Sequence, residues 1–169
     1  MRRTSHFFFA PLFPLFLLIA LLAPLLAAAP ARADFDEGRA AFERGDFATA
    51  FAIAERQAYR GDAEAQGYLG IMHYYGQGTP HDHKEAAQWY RAAADQGYTQ
   101  AQMNLGVLYA TGDGVEHDMI EAYKWFFLAT KGGGAVADQN LALAKRKLTP
   151  GQIKEAEARI RTWEKARGK

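Results

Sequence analysis

A short pattern is written twice in this chain, 36 residues apart. Ala65-Gln66-x-x-Leu69-Gly70, Gly76-x-Gly78-x-x-His81-Asp82-x-x-Glu85-Ala86-x-x-Trp89, Ala93 and Gly97 return as Ala101-Gln102-x-x-Leu105-Gly106, Gly112-x-Gly114-x-x-His117-Asp118-x-x-Glu121-Ala122-x-x-Trp125, Ala129 and Gly133. Thirteen of the 33 positions from Ala65 to Gly97 recur, where unrelated segments would share about two. Self-similarity at this period defines a repeat array, in which each unit buries its neighbour and an extended surface is left for a partner.

The apolar residues recur at helical spacing and no stretch sustains alternation, so the units are helical. First helices are predicted at about 63–75 and 99–111, broken by Gly76-Gln77-Gly78 and Gly112-Asp113-Gly114, since glycine tolerates the positive φ of a helix end. Asp82 and Asp118 are N-cap residues for second helices at about 83–96 and 119–131, with Glu85 and Glu121 placed to close reciprocal capping boxes. Carried backwards, the register predicts helices at about 36–44 and 47–60; carried forwards, one at about 136–147. Thr149-Pro150-Gly151-Gln152 then opens a last helix with N-cap, proline and capping-box residue in place. The expected fold is all-α: a right-handed solenoid of antiparallel helical hairpins, with an atypical N-terminal hairpin over 34–61, repeats over 62–97 and 98–133, and a degenerate repeat with a capping helix over 134–169.

Leu69, Gly70, Trp89, Leu105, Gly106 and Trp125 are read as structural repeat positions. A glycine inside a helix costs about 1 kcal/mol against alanine, so Gly70 and Gly106 point to close helix approach. Trp89, Tyr90, Trp125 and Phe126 are expected to fill the space between hairpins.

These residues resemble the Sel-1-like repeat family, a relative of the tetratricopeptide repeats. Its Ala-x-x-x-Leu-Gly-x-x-Tyr-x-x-Gly-x-Gly-Val…Asp…Ala-x-x-Trp-Tyr/Phe-x-x-Ala-x-x-x-Gly pattern is matched from Ala101 to Gly133, including Tyr109 and Val115; the first copy has His73 and Thr79 at those places. The resemblance implies a scaffold or adaptor for another protein, and the segment from Leu148 to Ala156 looks like the closing helix of exported bacterial members.

Residues 1–33 read as a secretory leader: Arg2 and Arg3, an apolar run from Phe7 to Leu26, then Ala31-Arg32-Ala33, with cleavage before Asp34. The alternative is a retained membrane anchor, which Pro11, Pro14 and Pro24 disfavour. Export to a periplasm or the exterior follows, with no integral span once the leader is cut. No cysteine occurs, so packing alone must hold the array.

Residues 34–138 carry 16 acids and 8 bases, and residues 139–169 carry 3 acids and 9 bases. The basic tail is read first as a solvated helix face; contact with an anionic envelope surface, glycan or lipid, and folding against the acidic repeats are the other readings. An acidic body and a tail without interleaved aromatics argue against nucleic acid.

No serine or cysteine lies beyond Ser5, which removes serine and cysteine nucleophile mechanisms from the mature chain. His81-Asp82-His83 and Glu116-His117-Asp118 carry metal-ligand chemistry. However, the two aspartates serve as caps, and packed helices 8–10 Å apart set the two clusters too far from one another for a shared ion. His73, at a core tyrosine position, is expected to be a hydrogen-bonded buried histidine. No catalytic residue, metal or cofactor is predicted. The expected partner site is the concave first-helix face: a ladder of Tyr68, Asn104 and Asn140, flanked by Glu64, Gln100, Tyr74 and, at the basic end, Arg146 and Lys147. Asparagine offers donor and acceptor and tyrosine adds apolar area, which suits an extended peptide or a partner helix.

Overall fold

In the computed structural model, residues 31–133 and 135–168 are described, with side chains from Asp36 onward. The leader up to Pro30, and with it the choice between signal and anchor, lies outside the described residues. Eight helices follow in order: α1 (Ala31–Glu43), α2 (Phe47–Ala58), α3 (Ala63–Tyr75), α4 (His83–Asp95), α5 (Thr99–Thr111), α6 (Met119–Thr130), α7 (Ala135–Lys147) and α8 (Pro150–Ala166). Consecutive helices from α1 to α7 pack in turn, and α3 touches α5 directly. No strand occurs among the described residues. α1 begins five residues before the predicted start near 36, running through the Ala33–Asp34 junction.

The hairpins are set by glycine. A Cβ on Gly70 would lie 2.4 Å from the Tyr90 ring, and one on Gly106 would lie 2.7 Å from the Phe126 ring. Each ring of a second helix thus packs directly against the backbone of its own first helix, the compensation that a mid-helix glycine requires. Gly78 and Gly114 join hairpin to hairpin: both have positive φ, and a Cβ on them would meet the backbone oxygens of Phe47 and His83 at 2.3 and 2.2 Å. Gly76 and Gly112 cap α3 and α5 in the left-handed region, as their place in the repeat predicts.

The repeated glutamines are clamps between hairpins. Gln66 Nε2 donates to the carbonyl of Ala58, and Gln102 Nε2 to that of Ala94, each adding a second donor to an oxygen that already accepts the turn N–H of Gly61 or Gly97. Asp46, Asp62, Asp82 and Asp118 cap α2, α3, α4 and α6. The reciprocal half of the predicted boxes is different. At α8 the Thr149–Gln152 box closes in both directions, whereas Glu121 turns to Lys124 and Arg159, a stronger electrostatic partnership than the N-cap N–H offers.

Two apolar clusters result. One joins α1, α2 and α3 around Ala41, Ala50, Ala65, Leu69 and Met72; the other runs from α4 to α8 around Tyr90, Leu105, Trp125, Phe126 and Ile160. α8 does not form a hairpin with α7 but lies against α6. The two repeat tryptophans therefore diverge. Trp125, 1% exposed, is closed over by Trp163 of α8 at 6.0 Å, while Trp89 is half-buried with Tyr59 edge-on against it.

Alanine at Gly106 should destabilise the protein by about 1–3 kcal/mol through overpacking against Phe126. Alanine at Gly151, which has nothing within 4 Å of its added Cβ, should leave stability unchanged or raise it by up to about 1 kcal/mol. Chemical denaturation of the two variants checks the contrast.

Candidate functional site: a neutral trough on the first-helix face

The first helices leave a trough between them, floored by the rings that seat on Gly70 and Gly106. Between α3 and α5 it opens into a cleft of about 350 Å³ lined by Ile71, Tyr74, Tyr75, Tyr90, Gln100, Asn104, Val107 and Leu108. Between α5 and α7 a shallower cleft of about 200 Å³ is lined by Val107, Ala110, Met119, Phe126, Asn140, Leu143, Ala144 and Lys147. Tyr90 floors the first and Phe126 the second, as their shared register requires.

The predicted residues divide. Tyr74, Gln100 and Asn104 come together in the larger cleft, and Asn140 and Lys147 line the smaller one. Tyr68 instead packs edge-on against Phe42, and Glu64 faces Arg39 at 3.7 Å. Arg146 is exposed and lines neither cleft. Asn104 accepts a hydrogen bond from Gln100 Nε2 at 3.2 Å and is bonded to the Tyr90 hydroxyl. Burial drives the Tyr90 phenol far above its ordinary pKa, with the Asn104 bond opposing, so the floor is an uncharged phenol.

The ladder of asparagines was legible in the repeat; the residues beside it were not singled out. Ile71, Val107 and Leu143 stand 36 residues apart and form an apolar row, and Leu143 is 55% exposed. Tyr75, 66% exposed, rests edge-on against Tyr74. The signal for the row was the same register, at positions assigned to packing by default.

The histidine loops behave as caps and spacers. Asp82 accepts from the N–H groups of Lys84 and Glu85, and Asp118 from those of Ile120 and Glu121. His83 stacks on Tyr74 at 4.6 Å and its Nδ1 lies 4.0 Å from Asp113 of the next loop. Among the described residues no group of three or more histidine, cysteine or acidic side chains is arranged to hold a metal ion. His73 corrects the expectation of a hydrogen-bonded core histidine: it packs edge-on against Phe51, and its buried Nδ1 has no hydrogen-bond partner, because this apolar contact replaces the hydroxyl that a tyrosine would extend outward.

The basic tail divides: Arg159 and Arg167 fold against the acidic repeats, while Lys145, Arg146, Lys147, Lys154, Arg161 and Lys165 stay exposed, as a solvated face would have them. Arg159 reaches Asp118 and Glu121 at 2.9 and 3.0 Å, Arg167 reaches Asp95 at 2.6 Å, Lys131 pairs with Glu164, and Trp163 donates its indole N–H to Asp95. Lys124, only 8% exposed beneath α8, lies 2.5 Å from Glu121; burial lowers its pKa against the pull of that carboxylate.

An open trough, uncharged in its larger cleft, on an array of packed helical hairpins is the surface of an all-α repeat solenoid. Its two central hairpins are Sel1 repeats, the Sel1 repeat model matching residues 63–98 and 99–134. Such repeats are generally protein–protein interaction scaffolds and typically non-catalytic. Among solved structures, the chain is similar to c5321, a protective antigen of uropathogenic Escherichia coli strains with an SLR fold, at 30% identity and a TM-score of 0.77. It is similar also to a Sel1 repeat protein from Oxalobacter formigenes, at 29% identity and a TM-score of 0.60. These similarities cover 81% and 63% of this chain but 30% and 42% of the two larger chains. No curated protein matches it.

Burial pushes the Asp118 carboxyl up, but the N–H groups of Glu121 and Ile120 and the Arg159 guanidinium outweigh it and hold the group below the ordinary 3.8. A depressed carboxylate stabilises above its unfolded pKa and loses that contribution as pH falls through the folded one. Asp118→Asn should therefore cost roughly 0.5–1 kcal/mol at pH 7, and the gap between the two proteins should close below pH 3.8 in thermal melts at a series of pH values.

Proposed function

We propose that the chain is a non-enzymatic adaptor of the bacterial cell envelope, exported by its leader, whose first-helix trough holds an extended peptide or a partner helix. The observation that carries this reading is the cleft of about 350 Å³ at the junction of the two repeats. It is lined by three tyrosines, two carboxamides and an aliphatic row, with no charged residue among its lining. Tyrosine supplies contact area at small entropic cost, and carboxamides pair with a peptide backbone. Among the described residues no helix is long and apolar enough to cross a membrane.

The reading in which the basic C-terminal helix attaches the protein to an anionic surface has less support, since Arg159 and Arg167 are already paired with carboxylates of the repeats.

A photoreactive residue in place of Tyr75 should capture a partner in cells whose fractionation shows export and a chain shortened by 33 residues. Val107→Asp, which sets a carboxylate in the trough, should reduce that capture at least tenfold, and Gln88→Glu on the outer face should not. Equal capture by all three proteins would refute the trough, and an unshortened cytoplasmic chain would refute the location.

A further inference from the structure

The α8 interface shows what the outer face of a repeat can bind, and the first repeat carries a version of that face with nothing laid across it among the described residues. Three of the contacts through which α8 docks on α6 and the end of α4 define the receptor. Arg159 bridges Asp118 and Glu121. Trp163 closes over Trp125. Asp95, at the end of α4, receives the Trp163 indole N–H and Arg167. Subtracting 36 from each receptor position gives Asp82, Glu85, Trp89 and Tyr59. The acidic pair and the indole are the same residues. Tyr59, whose hydroxyl can also accept an indole N–H, stands in place of Asp95.

The exposures follow the presence or absence of the covering helix. Lys124 and Trp125 are buried, whereas Gln88 is exposed, Trp89 half-buried, and Tyr59 74% exposed. Asp82 and Glu85 have no arginine across them among the described residues, although Asp82, like Asp118, holds its proton less tightly than an ordinary aspartate because of its cap bonds. An anionic pair beside an exposed tyrosine and a half-buried tryptophan is complementary to a helix that is basic and aromatic on one face.

We propose that the outer face of α4, centred on Trp89, is a second docking site, for an amphipathic helix of another protein that presents an arginine one turn before an aromatic residue. The spacing is that of Arg159 and Trp163 on α8. The guanidinium would bridge Asp82 and Glu85, and the aromatic ring would complete the cover over Trp89 that Tyr59 begins. The site lies on the second-helix face, away from the trough, so both could be occupied together.

The probe is a labelled synthetic peptide of residues 149–167, capped at both ends, titrated into the intact protein and followed by fluorescence anisotropy. Saturable binding is expected. It should weaken about tenfold or more with Glu85→Arg, a partly exposed position that meets the Asp82 cap through its backbone N–H, and recover when the peptide carries Arg159→Glu. Circular dichroism melts of the Glu85→Arg protein should match the parent. The absence of binding would overturn the proposal. So would binding indifferent to Glu85→Arg, which would mean exchange with the resident α8 on α6. A parent protein that dimerises, with the dimer broken by Glu85→Arg, would make a second copy the occupant and also contradict it.

Discussion

An aromatic ring packed against a glycine backbone is the contact on which the rest of this structure depends. Tyr90 on Gly70 and Phe126 on Gly106 bring the two helices of each hairpin to a separation that any Cβ would forbid. That closeness lets the hairpins stack at a constant step, and the step brings every thirty-sixth residue of the first helices into line. The same two rings floor the clefts between neighbouring first helices. Packing and recognition surface thus share atoms: the trough is the far side of the core.

The C-terminal helix solves a different problem. A repeat array ends on a face that would otherwise meet water, and here α8 covers the outer side of α6 with Ala156, Ile160 and Trp163 while its arginines meet carboxylates of the repeats. Arg159 and Arg167 thus help to seat α8 on the repeats. Lys124 is buried by the same helix, which is tolerable because Glu121 pairs with it and the Trp125 ring lies 4.5 Å away. One repeat earlier no helix lies across that side among the described residues, and Asp82 is exposed while Glu85 and Trp89 are only half-buried.

Most helices were legible in the sequence because helix ends are local chemistry. Asp82, Asp118 and Thr149 cap where their spacing to Lys84, Ile120 and Gln152 says they must, and Gly76 and Gly112 stop α3 and α5. What stayed hidden was non-local. Nothing in the repeat pattern says that α8 folds back on α6, so the difference between Trp89 and Trp125 could not be foreseen from two identical letters. The site was half legible for the same reason: Asn104, Gln100 and Tyr74 fall on the trough by register, whereas Tyr68 and Glu64 are claimed by Phe42 and Arg39 of the N-terminal hairpin. The first-helix residues Ile71, Val107 and Leu143 passed for core because an apolar side chain at helical spacing carries no mark of the side it faces.

A double-mutant cycle between positions 106 and 126 tests the central contact most directly. If the ring on the glycine sets the hairpin spacing, Gly106→Ala should cost about 1–3 kcal/mol with Phe126 present. It should cost much less in a Phe126→Leu background, where the aromatic ring is gone, giving a coupling of at least about 0.5 kcal/mol. Costs that simply add, with the glycine change equally harmful beside leucine, would mean that the ring and the glycine do not constrain one another and that the spacing of the array has another origin.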